Sequence, residues 1–357
     1  MQRMAGSRNR LLIAAWAAGG LLMFTAGAAC DAPRPSPTPQ PNPTPTPTPA
    51  PAPSNTGLVG FAAVNSLGQN GTTGGAGGPT VTATTPQQFI DFIARPGPMT
   101  VRVQGMLRLP GPLHDVASNK TLVGVGARSG ILGAGLMIGL RNTNASLPAN
   151  AIRNVIVRNL SITDCPDDCI NIQEFSHHIW IDHNDFARPF DGALDIKRGS
   201  DFITVSWNHF FDTDKNALLG HSDNNAAQDV GRLKVSYHHN WFDGTVQRNP
   251  RVRFGEPVHV FNNYYLNVSS YGVASQQNAG VLVEGNFFEN TRRPTRNDVG
   301  GGPGRIVQRL NVFVNSDPPF ATGTVMEPSR FYSYRLDPAS NVPSLVRAGA
   351  GVGKIGL

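Results

Sequence analysis

Short segments that combine apolar residues with an asparagine recur along the chain from about residue 150 onward. In most of them an aromatic residue follows the asparagine two positions later. Successive asparagines are separated by 25, 24, 32, 23, 23 and 25 residues. A period in this range predicts a repeat architecture. The series consists of Asn159-Leu-Ser, Asn184-Asp-Phe186, Asn208-His-Phe210, Asn240-Trp-Phe242, Asn263-Tyr-Tyr265, Asn286-Phe-Phe288 and Asn311-Val-Phe313.

Each repeat also contains a short run that is typical of a β-strand. No amphipathic helix of useful length lies between these runs, which excludes βαβ crossovers, since those need about a dozen residues per connection. Successive strands can then be parallel only if the chain coils. We therefore predict an all-β fold, a right-handed parallel β-helix with one turn per repeat. The predicted strands are 155–157, 178–181, 203–205, 233–235 and 258–260.

The repeated asparagines and aromatic residues are interpreted as turn and core positions. Asparagine tolerates a left-handed backbone, and its amide can bond to the next asparagine in a ladder. The aromatic rings would stack in the same way inside the coil.

The gap of 32 residues between Asn208 and Asn240 is the exception in the series. It contains a polar segment, residues 221–231, which predicts an insertion of about eight residues that stands off the coil as a loop. Functional residues often lie on such loops.

Charged residues on neighbouring predicted coils give the first indication of chemistry. Asp168, Asp191 and Asp195 could together bind a hard divalent cation such as Ca²⁺, although acidic residues in loops are common without a metal. Lys215 and the run from Arg248 to Arg253 add positive charge nearby. Such a cleft would suit an anionic sugar, because arginine binds carboxylates in a bidentate manner. A solvated row of charges along the sheet is the alternative.

The stretch from about residue 119 to residue 290 resembles polysaccharide lyase family 1, the pectate lyases. Several motifs in combination make the resemblance specific, whereas residues before 110 and after 315 match less clearly. The motifs are Ile179-Trp-Ile-Asp-His183, Asp191-Gly-Ala-Leu-Asp-Ile-Lys197, Val205-Ser-Trp-Asn208, Leu218-Leu-Gly-His-Ser222, Tyr237-His-His-Asn-Trp241 and Arg248-Asn-Pro-Arg-Val-Arg253.

The resemblance implies a calcium-dependent lyase that acts on polygalacturonate, and it implies a role for each of six residues. The Trp-Ile-Asp-His motif is structural by the same resemblance. The implied calcium ligands are Asp168, Asp191 and Asp195, the implied substrate-binding residues are Lys215 and Arg253, and the implied catalytic residue is Arg248.

The implied chemistry explains why these residue types are needed. β-Elimination removes the proton at C5 of a galacturonate, and positive charge beside the adjacent carboxylate makes that proton more acidic. Arg248 would accept the proton, although a guanidinium is normally protonated. Neighbouring cations would favour its neutral form, which predicts an alkaline pH optimum. The alternative is that Arg248 stays charged and orients a hydroxide.

Three other functions are alternatives to a pectate lyase. A pectin lyase would act on methyl-esterified polymer without calcium and would lack the pair Asp191 and Asp195. A polygalacturonase is a hydrolase that uses paired carboxylates and a water, and it needs no arginine motif. A non-catalytic polysaccharide-binding β-helix would have no need for Lys215 or Arg248.

The amino-terminal region has a different composition from the repeats. Residues 1–30 have the basic, apolar and small-residue order of a secretory signal. Ala26-Gly27-Ala28 fits a cleavage site that would release a free protein, and the alternative is a lipoprotein signal in which Cys30 is acylated. An uncleaved membrane anchor is a further alternative. Residues 31–55 carry proline at every odd position from 33 to 53, which predicts an extended linker. Residues 56–357 form the predicted catalytic domain.

The remaining sequence features set limits on partners. The net charge of +6 includes three arginines of the signal, so the processed chain carries 6 − 3 = +3, and we expect no nucleic acid partner. Cys165 and Cys169 could form a tight disulfide, but their spacing does not establish it. We expect a secreted or cell-surface monomer, with a membrane contact only through a lipid on Cys30.

Overall fold

The computed structural model describes residues 57–356. In this part of the chain the polypeptide winds into coils, and each complete coil contributes one strand to each of three parallel sheets. The prediction of a parallel β-helix is confirmed. We call the sheets 1, 2 and 3 in the order in which each coil enters them.

The strands of each sheet, in chain order, have the following bounds. Sheet 1 contains Thr80–Ala83, Met99–Val103, Lys120–Gly124, Arg153–Arg158, His177–Asp182, Asp201–Ser206, Val235–His238, Val258–Phe261, Gly280–Glu284 and Arg305–Arg309. Sheet 2 contains Met106–Arg108, Gly130–Leu132, Ser161–Thr163, Asp185–Ala187, His209–Phe211, Trp241–Asp243, Tyr264–Leu266, Phe287–Glu289 and Val312–Val314. Sheet 3 contains Leu113–Asp115, Gly135–Ile138, Ile170–Ile172, Gly192–Ile196, Lys215–Leu219, Arg251–Arg253, Val273–Gln276 and Thr295–Arg296.

Few other regular elements accompany the coils. The α-helices are Pro86–Ala94, Ala226–Asp229 and Val342–Gly349, and the 3₁₀ turns are Phe61–Ala63, Pro328–Arg330 and Ala339–Asn341. Asn65–Ser66 and Gln69–Asn70 form a small antiparallel pair. From residue 57 to residue 356, no helix is long and apolar enough to cross a membrane. The predicted signal and linker lie outside the described residues.

Stacked rings fill the interior beneath sheet 2, as the repeats predict. Neighbouring ring centroids lie 4.3–5.1 Å apart with nearly parallel planes. This spacing corresponds to the distance between adjacent parallel strands, so each coil adds one ring to the stack. The stack consists of Phe186, Phe210, Phe242, Tyr265, Phe288 and Phe313.

The asparagine ladder is also present, but it begins one repeat later than predicted. From Asn184 to Asn311, each Nδ2 donates to the Oδ1 of the next member at 2.9–3.0 Å. Leu160 occupies the first ladder position, since its amide donates to Asn184 Oδ1. Asn159 lies one residue earlier, with φ 54°, and donates instead to the carbonyls of Gly124 and Gly126. The prediction for Asn159 was therefore wrong by one position.

Left-handed backbone does occur at this turn, although not at the ladder asparagines themselves. The residue before each of them takes a positive φ, as in His183, Trp207 and His239. A similar correction applies to the predicted strand 233–235, because Leu233 has φ 60° and the strand begins only at Val235. The prediction therefore placed the start of this strand two residues too early.

The helix Pro86–Ala94 covers the amino-terminal end of the coil. Thr85 caps the helix by accepting a hydrogen bond from the Gln88 amide, and a proline occupies its first turn. Phe89 and Ile93 on its inner face are fully buried against core residues of the first coils. The apolar interior is therefore closed at this end.

Asn240 provides a test of what the ladder contributes to stability. It is fully buried, donates to Val205 O and Asn263 Oδ1, and accepts from the Asn208 amide. Asn240→Ala leaves several buried groups without partners, at about 1–3 kcal/mol each, so we expect a loss of about 2–4 kcal/mol in unfolding free energy. Urea denaturation measures this loss, with Asn150→Ala at an exposed position as the control. Equal midpoints for the two variants would contradict a stabilising ladder.

Candidate active site

All six predicted site residues lie on sheet 3 or at the start of its strands, on four consecutive coils. The strands pair in parallel register, so that Asn171, Asp195, Leu218 and Arg251 form one row. Side chains alternate between the two faces of a strand, and the inward row is apolar. The outward row of this sheet therefore carries the polar groups. The six residues are Asp168, Asp191, Asp195, Lys215, Arg248 and Arg253.

The carboxylates lie on the first two of these coils. One oxygen each from Asp167, Asp168 and Asp191 lies within 4.8 Å of the others, an arrangement that could hold a metal ion. Asp167 was not predicted, and it replaces Asp195 in this group of three. Asp168 is held in place at Oδ1 by the Gly192 amide at 3.1 Å.

Lys197 is the main residue that sequence reasoning missed. Its Nζ lies 3.0 Å from Asp168 Oδ2 and 3.2 Å from Asp195 Oδ2, and both carboxylates are almost fully buried. Burial raises the pKa of Asp168 and of Asp195, although Lys197 acts in the opposite direction. The pKa of Lys197 is raised, because the two carboxylates outweigh its own burial. The signal was its place two residues after Asp195 on the same face of the strand.

The donor set fits a hard cation such as Ca²⁺. Asp195 Oδ1 and Asn171 Oδ1 are buried and make no hydrogen bond within residues 57–356. Together with Asp167, Asp168 and Asp191 they offer only oxygen atoms, which are the ligands that calcium prefers. An unpartnered buried carboxylate oxygen is costly, and a bound cation would remove that cost.

Lys215 lies on the next coil and contacts the carboxylate group directly. Its Nζ donates to Asp191 Oδ1 at 2.7 Å, and this hydrogen bond is the largest cause that lowers the pKa of Asp191. The positive charge of Arg248, on the coil after Lys215, also lowers the pKa of Asp191. Positive and negative groups therefore meet between the second and fourth coils.

The arginines of the run from Arg248 to Arg253 differ in their surroundings. Arg251–Arg253 is a strand with Val252 buried and both arginines on the outer face. Arg251 donates to Gln276 Oε1 at 2.5 Å and to the Val299 carbonyl at 3.2 Å. Arg253 also donates hydrogen bonds to Asp223 and to the Gly220 carbonyl, which belong to the loop 220–234.

Arg248 differs from the other two arginines in having a free side chain. It precedes the cis peptide between Asn249 and Pro250, and its carbonyl accepts the Ala217 amide at 2.7 Å. In the part of the chain that the structure describes, its side chain makes no hydrogen bond or ion pair, and its Nε is buried. The backbone is therefore fixed while the guanidinium remains available to a ligand.

Cys165 and Cys169 form a disulfide, with an S–S distance of 2.03 Å. The sequence left this pairing open. The bridge closes the short loop that carries Asp167 and Asp168, and Cys169 lies in the core. It therefore ties the acidic loop to the coil.

Fold and site together define a class of protein. A parallel β-helix with carboxylates able to hold a cation, and with a free arginine two coils away, has the features of an enzyme that acts on an acidic polysaccharide. A pectate lyase family profile matches residues 55–355 of the chain. The chain belongs to the pectate lyase family and is a polysaccharide lyase.

Individual relatives agree with this assignment. A pectate trisaccharide-lyase from Bacillus licheniformis is 36% identical over 317 residues, which covers 84% of this chain and 87% of that protein. One from Thermotoga maritima is 36% identical over 341 residues, covering 83% and 89%. A pectate lyase from Bacillus sp. N165, solved in complex with trigalacturonate, superposes with a TM-score of 0.71 at 30% identity, covering 83% and 99%.

Lys197 gives a prediction about the site without its metal. Lys197→Met removes the cation between two buried carboxylates, and we expect the unfolding free energy to fall by about 2–4 kcal/mol in chelator. Lys215→Met is the matched control, because the pair of Lys215 and Asp191 is much more exposed and should contribute about 1 kcal/mol or less. Urea denaturation at mildly alkaline pH measures both. Equal losses would show that burial of the Lys197 pairs has no particular effect.

Proposed function

We propose that the protein cleaves polygalacturonate by β-elimination, with calcium as cofactor and Arg248 as the group that acts on the C5 proton. The products would be unsaturated oligogalacturonides. The observation that carries the proposal is the guanidinium of Arg248, which has no hydrogen-bond partner among the described residues and lies two coils from a carboxylate cluster that fits a divalent cation. The trigalacturonate complex of the relative from Bacillus sp. N165 supports the substrate class.

Substrate binding would depend on the two cations that flank the cluster. Lys215 uses one of its three ammonium donors on Asp191, so two remain for a uronate carboxylate. Arg253 has an unused Nη2 on the coil that follows. Fixed positive charge of this kind stabilises the negative charge that develops on the substrate carboxylate as C5 loses its proton.

The metal would be held by Asp168, Asp191 and Asp195, with Asp167 as a further ligand. When bound, Ca²⁺ supplies positive charge that neutralises a substrate carboxylate and makes the C5 proton more acidic. Arg248 would accept that proton as a neutral guanidine, or it would stay charged and orient a hydroxide that accepts the proton. The electron pair of the C5–H bond then forms the double bond between C4 and C5, the bond between C4 and the glycosidic oxygen breaks, and the departing oxygen takes up a proton from solvent.

The same proposal includes the cellular setting. We place the enzyme outside the cytoplasm as a monomer, secreted or attached to the cell surface through Cys30. Its support is the signal-like order of residues 1–30 and the proline-rich residues 31–55. A polymeric substrate, too large to cross a membrane, agrees with this location.

Calcium dependence is tested by chelation. We expect excess EDTA to abolish formation of unsaturated product from polygalacturonate, followed by ultraviolet absorbance, because the substrate carboxylate loses its counter-charge. Added Ca²⁺ should restore the rate. Full activity in EDTA would overturn the metal assignment and favour the pectin lyase alternative, which the same assay on methyl-esterified pectin would then detect.

The role of Arg248 is tested by a charge-conserving change. Arg248→Lys keeps the positive charge but loses the planar guanidinium, so we expect kcat to fall by about a hundredfold or more while KM changes little. Arg251→Lys is the matched control on the same coil, and its kcat should stay within about threefold of wild type. If Arg248→Lys keeps normal turnover, or only binds more weakly, another residue must act on the proton.

A further inference from the structure

The insertion predicted between Asn208 and Asn240 contacts the site through Asp223. The loop 220–234 leaves sheet 3 after Lys215–Leu219 and contains the short helix Ala226–Asp229. Asp223 Oδ1 accepts a hydrogen bond from Arg253 Nε at 2.6 Å. The Arg253 side chain is 11% exposed and that of Asp223 is 44% exposed. The insertion therefore supplies a charged partner to one of the two proposed substrate-binding cations.

The loop is anchored well away from Asp223. Asp229 is fully buried and accepts hydrogen bonds from the Gly199 amide at 2.8 Å and from Asn225 Nδ2 at 2.9 Å. Gln228 donates to the Asn144 carbonyl at 2.6 Å. These contacts join the loop that carries Asp223 to two other coils.

A second loop confines Asp223 from another side. Gly301 has φ 69°, and a Cβ at this position would lie 2.5 Å from Asp223 Oδ2. The loop that contains Gly301 is tied to the same strand as Arg253, because the Val299 carbonyl accepts from Arg251. The carboxylate of Asp223 is thus held between two loops above Arg253.

This arrangement fixes the orientation of the guanidinium. Arg253 Nε donates to Asp223 Oδ1, and Arg253 Nη1 donates to the Gly220 carbonyl at 3.2 Å. Nη2 makes no hydrogen bond within residues 57–356. A guanidinium is planar, so fixing two of its nitrogens fixes the direction of the third.

We propose that Asp223 is a positioning residue that orients Arg253 so that Nη2 is presented to a carboxylate of the oligogalacturonate. The proposal rests on the proposed function, since it deepens the role given there to Arg253. Asp223 acts through Arg253 and takes no part in proton transfer. Its effect should therefore appear mainly in substrate binding, with a smaller effect on turnover, because Arg253 also faces the charge that develops on the substrate carboxylate.

Kinetics of Asp223→Asn on polygalacturonate test the proposal. This change keeps the shape of the side chain and removes its charge, so the guanidinium is less firmly oriented. We expect KM to rise by about three- to tenfold, with a smaller fall in kcat of about threefold or less. Asp223→Glu restores a carboxylate and should recover at least part of the KM. A fall in KM would overturn the proposal, because it would mean that Asp223 competes with the substrate. An unchanged KM would also overturn it.

Asp298→Asn is the matched control for the loss of an arginine partner. Asp298 pairs with Arg296 Nε at 2.7 Å, and Arg296 is 14% exposed, which is close to the value for Arg253. Its KM should not change. In an Arg253→Met background, Asp223→Asn should alter KM by less than about twofold, because the residue it positions is absent. A full effect in that background would overturn the proposal and indicate a general structural role of the loop.

Binding of trigalacturonate, measured by calorimetry, separates this proposal from the proposed function. If the wild-type protein binds trigalacturonate but forms no unsaturated product, the proposed reaction fails while the orientation of Arg253 is still tested by the dissociation constants. A three- to tenfold weaker Kd for Asp223→Asn, with an unchanged melting temperature, would support the proposal. An equal Kd for the two proteins would overturn it.

Discussion

Main-chain hydrogen bonds between successive coils are the constraint on which the rest of the structure depends. They run in parallel register from coil to coil through three sheets, so residues of equal position lie one strand spacing apart. This spacing stacks the rings beneath sheet 2 and the asparagines beside them, and it also brings Asp168, Asp195 and Lys215 together on one surface. An extra residue within a strand would break the register, so the insertion 220–234 is confined to a turn.

The site combines opposite charges that the coil spacing forces close together. Lys197 forms ion pairs with two buried carboxylates, and Lys215 forms an ion pair with the more exposed Asp191. Such partners reduce the cost of holding several carboxylates together without a metal, and they leave oxygens of Asp195 and Asn171 available. Arg248 lies beyond them, and its side chain has no partner among residues 57–356. The same surface therefore presents positive groups to an anionic polymer beside carboxylates that could hold a cation.

The sequence predicted the repeat and the parallel coils, because both depend on a period that can be read from residue types. The six site residues were implied by the family resemblance, and the structure brings them to one sheet. Details that depend on contacts between distant coils were missed. Asn159 has the right residue type but lies one position before the ladder, and only its carbonyl partners show this. Lys197 was present in a recognised motif, yet its pairing with Asp168 requires knowing that their coils are adjacent. The pairing of Asp223 with Arg253 depends on how a loop folds back, which no local pattern encodes.

The helix Pro86–Ala94 has a consequence for how the molecule behaves among its copies. A stack of coils has no intrinsic length, because each coil offers the next the same unpaired strand edges and the same apolar interior. By burying Phe89 and Ile93 in the first coils, the helix occupies the surface on which a second chain could continue the stack. This short amphipathic helix therefore prevents a second chain from stacking on the amino-terminal end of the coil, where the strands could otherwise continue from chain to chain as in a fibril.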